Sequence, residues 1–125
     1  MAAPVPRRIL VVDDEDDLRV LLKDLLVGAG FEVLTASDGQ EAIDLIKGNQ
    51  RVDLALLDIQ MPRVNGIEVL KYINEHAQSM PAVMLTGFAD LKYAMEAREF
   101  GAKDFINKPY RVEDILATVN RVLKR

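Results

Sequence analysis

The chain has 125 residues, 50% hydrophobic and 29% charged, a balance typical of one globular domain. Its net charge of −4 argues against nucleic-acid binding by this domain, because phosphate binding needs a concentrated basic face and the sequence shows none. The absence of cysteine excludes disulfides and thiolate metal sites. No apolar stretch approaches the ~20 residues that cross a bilayer, and the N-terminus does not resemble a secretory signal. We therefore expect a soluble cytoplasmic protein.

Five short apolar runs alternate with five amphipathic segments. The first run, residues 9–12, is contiguous rather than alternating and predicts a buried strand over about residues 8–13. Acidic residues 14–17 suit the N-terminal end of the helix that follows. Its expected buried stripe consists of Leu18, Leu21, Leu22, Leu25 and Leu26.

The second strand is expected around residues 32–36, before a helix capped by Ser37 or Asp38. A third strand over about 53–58 ends in a loop with Pro62 and Gly66 that leads into the third helix.

The fourth strand is expected to open at Pro81 and end at Thr86, and a helix follows over about residues 89–100. The fifth strand, about 104–107, stops at Lys108, and the last helix then presents Val112, Ile115, Leu116, Val119 and Val122. Strands alternating with helices predict an α/β fold, a parallel sheet covered on both faces.

Polar residues directly follow four of these apolar runs: the pair Asp13-Asp14, then Asp58, Thr86 and Lys108. The carboxyl ends of parallel strands meet at one sheet edge, where open α/β sheets bind ligands. Two carboxylates about 4 Å apart repel by about 4 kcal/mol at an effective dielectric of ~20, so three of them need protons or a cation. Oxygen ligands favour a hard ion such as Mg²⁺.

Each of these residues alone also has an ordinary structural explanation. Asp13 and Asp14 suit the cap of the first helix, and Asp58 suits a turn at a strand end. Thr86 suits the cap of the next helix, and Lys108 suits a solvated strand end. Only the combination favours a metal site.

Four segments together resemble the receiver domain of two-component response regulators. They are Val11-Val-Asp-Asp-Glu15, Asp58-Ile-Gln-Met-Pro62 with Gly66, Leu85-Thr-Gly87, and Gly101-Ala-Lys-Asp-Phe-Ile-Asn-Lys-Pro-Tyr110. The resemblance covers essentially the whole chain, with residues 1–6 expected to be a flexible N-terminus and 7–125 the receiver domain. It implies a doubly wound, CheY-like fold with strand order 2-1-3-4-5 and five flanking helices. Leu85-Thr-Gly-Phe-Ala and Lys108-Pro-Tyr look most like receivers attached to σ54-type activators.

The resemblance also implies residue roles. Asp58 would accept a phosphoryl group from a histidine kinase or from a small donor such as acetyl phosphate. Asp14, Asp58 and the Gln60 backbone carbonyl would bind Mg²⁺, and Asp13 would act through a water. Lys108 would neutralise the transferring group. Thr86 and Phe105 would form a switch pair.

Further expectations concern the lifetime and the reading of the signal. Phe88, two residues after Thr86, would shield Asp58 and slow loss of the phosphoryl group, and Gln60 would tune it. The partner face would combine the fourth helix, fifth strand and last helix, about residues 89–120, and a phosphorylation-dependent dimer is one outcome. The domain would be a phosphoacceptor rather than a turnover enzyme.

Three other classes of protein share parts of this pattern. A haloacid-dehalogenase-like phosphatase would need an Asp where Gln60 stands. A flavodoxin-like cofactor binder would need a Ser-, Thr- and Gly-rich loop after the first strand, whereas the chain carries acidic residues 13–17 there. An interaction module that is never phosphorylated would be expected to lack Asp58 or Lys108, and both are present.

Overall fold

The structure is a computed structural model that describes residues 5–48, 50–61, 64–87 and 91–124. The strands are β1 (Arg8–Val12), β2 (Glu32–Ala36), β3 (Leu54–Asp58), β4 (Ala82–Thr86) and β5 (Asp104–Asn107). The helices are α1 (Asp16–Gly28), α2 (Gly39–Lys47), α3 (Gly66–His76), α4 (Leu91–Glu99) and α5 (Val112–Leu123). The strands pair in parallel in the order β2-β1-β3-β4-β5, which confirms the expected doubly wound α/β fold.

The contiguous apolar strands are explained by helices on both faces of the sheet. Successive residues of a strand point to opposite faces, so a strand covered twice must be apolar throughout. Every residue of β3 and of β4 is buried. One face packs against α1 and α5 and the other against α2, α3 and α4. The sheet is therefore fully buried at its centre, and the residues that follow β1, β3 and β4 lie together at its carboxyl edge.

The buried faces of two helices are narrower than expected. On α1, Leu22 and Leu26 are buried, but Leu21 is 57% exposed, so its predicted place in the core is wrong. Leu21 is turned about 100° from Leu22 around the helix, beyond the stripe that contacts the sheet. On α5, Ile115 is buried, whereas Val112, the first helical residue, is 53% exposed. The prediction that Val112 belongs to the buried face of α5 is therefore also wrong.

The structure identifies the residues that cap the N-termini of two helices. Asp38, rather than Ser37, is the N-cap of α2, and its carboxylate accepts a hydrogen bond from the Glu41 amide at 2.8 Å. Asn65 caps α3 in the same way through the Glu68 amide at 3.0 Å. The first strand ends at Val12, one residue earlier than predicted. Among the described residues, no helix has the length and apolar character needed to span a membrane.

Opposite charges are paired at the amino edge of the sheet. The Arg8 guanidinium lies 3.0 Å from Glu32, and the Arg51 guanidinium lies 2.6 Å from Asp53. The Asp53 carboxylate also accepts the Arg8 backbone amide at 2.7 Å. These ion pairs connect β1, β2 and the residue before β3, and each cation there has a carboxylate partner. We therefore assign this edge a structural role.

Gly66 lets the start of α3 approach the end of β3. Its amide donates to the Ile59 carbonyl at 3.0 Å, and a Cβ there would lie 2.2 Å from the Asp58 backbone oxygen. No side chain fits without moving the backbone that carries Asp58. The close approach of α3 to the end of β3 thus requires glycine at this position.

We expect Gly66→Ala to lower the free energy of unfolding by about 2–3 kcal/mol, since the added methyl overpacks a site bounded by backbone. Urea denaturation measures this change. Gly28→Ala is the matched control, because a Cβ at Gly28 meets no atom within 4 Å. Equal stabilities of the two variants would contradict the close approach.

Candidate functional site

Three carboxylates converge at the carboxyl edge of the sheet. In β1 and β3, Val12 pairs with Leu57, so the next residues, Asp13 and Asp58, follow side by side. One oxygen from each of Asp13, Asp14 and Asp58 lies within 4.8 Å of the others. Asp13 is 0% and Asp58 2% exposed, whereas Asp14 is exposed. The cluster therefore has two buried acids and one side open to solvent.

Lys108 brings one positive charge to this cluster. Its Nζ lies 3.1 Å from Asp58 Oδ1 and 4.0 Å from Asp13 Oδ2. The Lys108 amide donates to the Thr86 carbonyl at 2.7 Å, which fixes the backbone just after β5. Burial disfavours the ammonium, but the charges of Asp58 and Asp13 outweigh it and raise the pKa of Lys108. Lys108 is therefore a permanent cation facing two acids.

Opposing effects act on the pKa of Asp58, and those that raise it are larger. Burial raises its pKa from 3.8 to about 7, the charges of Asp13 and Asp14 add to the rise, and Lys108 opposes it. Three clustered carboxylates and one ammonium leave excess negative charge. An all-oxygen donor set with such an excess fits a hard divalent cation such as Mg²⁺. A cation there would favour the ionised form of Asp58.

Thr86 and Phe105 lie on the strands beside this cluster. Thr86 ends β4 and is 5% exposed, and its hydroxyl donates to Asn107 Oδ1 at 3.0 Å. Phe105 is partly buried against the core on the α2–α4 side of the sheet. It also borders two surface hollows, one lined by Met95 of α4 and the other by residues of α5. Phe105 thus lies where β5 meets both helices.

Gln60 is exposed in the loop after β3 and lines an open cavity together with Asp14, Asn65 and Tyr93. The cavity therefore adjoins the carboxylate cluster on the side of Asp14. The expectations for Phe88 and Pro62 lie outside the described residues.

Two contacts of the site are not predicted by the sequence pattern. The Tyr110 hydroxyl donates to Asp13 Oδ2 at 3.4 Å, while Asp13 Oδ1 accepts the Glu15 amide at 2.9 Å. Burial and then the charges of Asp13 and Asp58 raise the pKa of Tyr110, so it stays a neutral donor. The Thr86–Asn107 hydrogen bond is the second. The only available signal was proximity in sequence, since both Asn107 and Tyr110 lie within two residues of Lys108.

Residues 9–120 match the response regulator receiver domain family, and the chain belongs to this family. It is thus the receiver domain of a two-component response regulator, a class of signalling domain.

Among its relatives, the transcriptional regulatory protein CpxR of Escherichia coli strain K12 is 39% identical over 118 residues, which cover 94% of this chain and 50% of that protein. Response regulator MprA of Mycobacterium sp. strain KMS is 37% identical over 121 residues, which cover 97% and 52% of the two chains. The chain therefore spans about half the length of these curated relatives. The crystal structure of a CheY-like receiver domain protein from Methanospirillum hungatei matches with a TM-score of 0.91 and 32% identity, covering 96% of this chain and 95% of that one.

The raised pKa of Asp58 gives a signed prediction for the metal-free protein. The folded-state pKa of about 7 lies above the ordinary 3.8, so the folded state binds this proton more tightly than the unfolded state. The contribution of Asp58 to the free energy of unfolding is therefore present at low pH and is lost as the pH rises through 7. In EDTA, Asp58→Asn should stabilise the protein more at pH 8 than at pH 5, by about 2 kcal/mol.

Urea denaturation at the two pH values measures this difference. Asp24→Asn, at an exposed position of α1, is the control and should show no such difference. An equal effect of Asp58→Asn at both pH values would contradict the burial of an unbalanced charge at this position.

Proposed function

We propose that this domain is the phosphoacceptor of a two-component system, in which Asp58 accepts a phosphoryl group from a sensor histidine kinase. One observation carries the proposal: the buried Asp58 carboxylate has an ammonium 3.1 Å away and two further carboxylates within 4.8 Å. A carboxylate nucleophile needs positive charge around it when an anionic phosphoryl group approaches. Lys108 supplies part of that charge.

In the transfer, an Asp58 oxygen attacks phosphorus in line with the bond to the donor. The new P–O bond forms on Asp58 as the P–N bond of a phosphohistidine breaks, and the imidazole nitrogen keeps the electron pair of that bond. The attack requires the ionised carboxylate, which Lys108 favours through its 3.1 Å ion pair. The same ammonium then faces the oxygens of the bound phosphoryl group and balances their charge.

Mg²⁺ is the proposed cofactor, held by Asp14, Asp58 and the Gln60 backbone carbonyl, with Asp13 acting through a water. When bound, the ion would supply positive charge next to the phosphoryl oxygens. The excess of carboxylates over ammonium in the cluster supports this assignment. Asp13 is kept in place by donors on both oxygens, so its role is to complete the charge of the cluster rather than to move.

The phosphoryl group remains on Asp58 as a signal, so the domain acts as a phosphoacceptor and not as a turnover enzyme. Thr86 would then move toward the phosphoryl group and Phe105 would turn inward. The face formed by α4, β5 and α5 would change between two pre-existing states and bind an effector, an output domain or a second copy. The relative CpxR is a transcriptional regulatory protein, which favours transcriptional control as the output. We propose that the protein acts in the cytoplasm.

Acetyl phosphate with Mg²⁺ should add one phosphoryl group to the wild-type protein, and Asp58→Asn should remove the labelling because the nucleophile is gone. Intact-protein mass spectrometry measures the added mass. Asp17→Asn, an exposed acid of the first turn of α1, is the control and should label normally. Unlabelled wild type would favour the interaction module that is never phosphorylated. Full labelling of Asp58→Asn would refute the assignment of Asp58 as the acceptor.

Asp14→Asn should weaken Mg²⁺ binding by roughly tenfold or more, since it removes a charged oxygen ligand. Asp14 is exposed, so the variant should fold as the wild type does. Calorimetric titration with MgCl₂ gives the dissociation constants, and Asp17→Asn again serves as the control. Unchanged affinity of Asp14→Asn would exclude Asp14 as a ligand.

A further inference from the structure

The paired strands β4 and β5 place Asn107 directly beside Thr86. The two residues are register partners, so their side chains leave the same face of the sheet. The Thr86 hydroxyl donates to Asn107 Oδ1 at 3.0 Å and lies at a longer 3.4 Å from the Ile106 carbonyl. Both acceptors belong to β5. The hydroxyl is therefore directed to the neighbouring strand.

This direction bears on the chemistry because a hydroxyl has one hydrogen to donate. While Asn107 accepts it, it cannot be donated to a phosphoryl oxygen on Asp58. The Thr86 backbone is held by the 2.7 Å hydrogen bond from the Lys108 amide to the Thr86 carbonyl. Reorientation thus falls to the Thr86 side chain, and it must break the contact with Asn107.

We propose that Asn107 is a positioning residue that holds the Thr86 hydroxyl in a resting orientation and thereby sets how readily the domain takes its phosphorylated state. The inference rests on the proposed function, in which Thr86 moves toward the phosphoryl group. Asn107 is exposed whereas Thr86 is buried, so a released Asn107 amide is hydrated by solvent. The restraint is therefore weak enough to be released.

A restraint on the resting state lowers the apparent affinity for a ligand that binds the other state. Removing the Asn107 acceptor should therefore tighten binding of a phosphoryl analogue. A net hydrogen bond of ordinary strength corresponds to about threefold to tenfold in affinity. The Ile106 carbonyl remains as a weaker acceptor, which favours the lower end of that range.

The test is beryllofluoride binding in the presence of Mg²⁺, measured for Asn107→Ala in two backgrounds. With Thr86 present, Asn107→Ala should bind about threefold to tenfold more tightly than wild type. In a Thr86→Val background the same substitution should have no effect, because no hydroxyl remains to be held. An equal effect in both backgrounds, or none with Thr86 present, would overturn the proposal. Asn74→Ala, the same change at an exposed position of α3, is the matched control and should bind as wild type does.

A second measurement tests the restraint without any phosphoryl chemistry. Three-bond scalar couplings in the unliganded protein should give one dominant χ1 rotamer of Thr86 in the wild type and averaged values in Asn107→Ala. Unchanged couplings would overturn the proposal. If the wild type failed to bind beryllofluoride, the proposed function would be contradicted, and these couplings would still decide the role of Asn107. Asn107→Val replaces Asn107→Ala if the alanine variant does not fold.

Discussion

The ion pair between Lys108 and Asp58 is the interaction on which the carboxyl edge depends. Asp58 is 2% exposed beside Asp13 at 0%, and burying such charges costs several kcal/mol each unless they are compensated. The compensation crosses the sheet: Asp58 ends β3, Lys108 follows β5, and β4 lies between them. The pair therefore links the end of the edge strand β5 to the buried central strand β3. A change in the charge of Asp58 therefore changes the strength of its ion pair with Lys108.

The two edges of the sheet show the difference between charges that hold a fold and charges that define a site. At the amino edge, Arg8 and Arg51 face Glu32 and Asp53, two cations for two carboxylates. At the carboxyl edge, three carboxylates cluster, and the ammonium of Lys108 contacts two of them, Asp58 and Asp13. The first arrangement is complete by itself. The second has an excess of negative charge, and the divalent cation that we propose would offset both this excess and the charge of an incoming phosphoryl group.

The sequence predicted the elements and the convergence of Asp13, Asp58 and Lys108, because contiguous apolar strands imply a sheet covered twice and strand ends then meet by topology. The sequence could not predict how wide the buried face of α1 is. Leu21 has the spacing of a core leucine, but it lies outside the part of α1 that contacts the sheet. The sequence also could not predict hydrogen bonds made by side-chain rotation. Asn107 and Tyr110 reach Thr86 and Asp13 through orientations that no residue spacing encodes.

A short series of contacts along β5 connects Asp58 with the surface. Lys108 contacts Asp58, the preceding Asn107 holds the Thr86 hydroxyl, and Phe105 lies two residues earlier on the same face of β5. Phe105 in turn borders the hollow beside Met95, an exposed residue of α4. A coupling free energy needs an element with two discrete arrangements. In the proposed switch this element is the buried Thr86 hydroxyl, which would donate either to Asn107 or to a phosphoryl oxygen. Because Asp58 contacts Lys108, the residue after Asn107, the proposed phosphorylation and the proposed change of the surface would both act on residues 105–108.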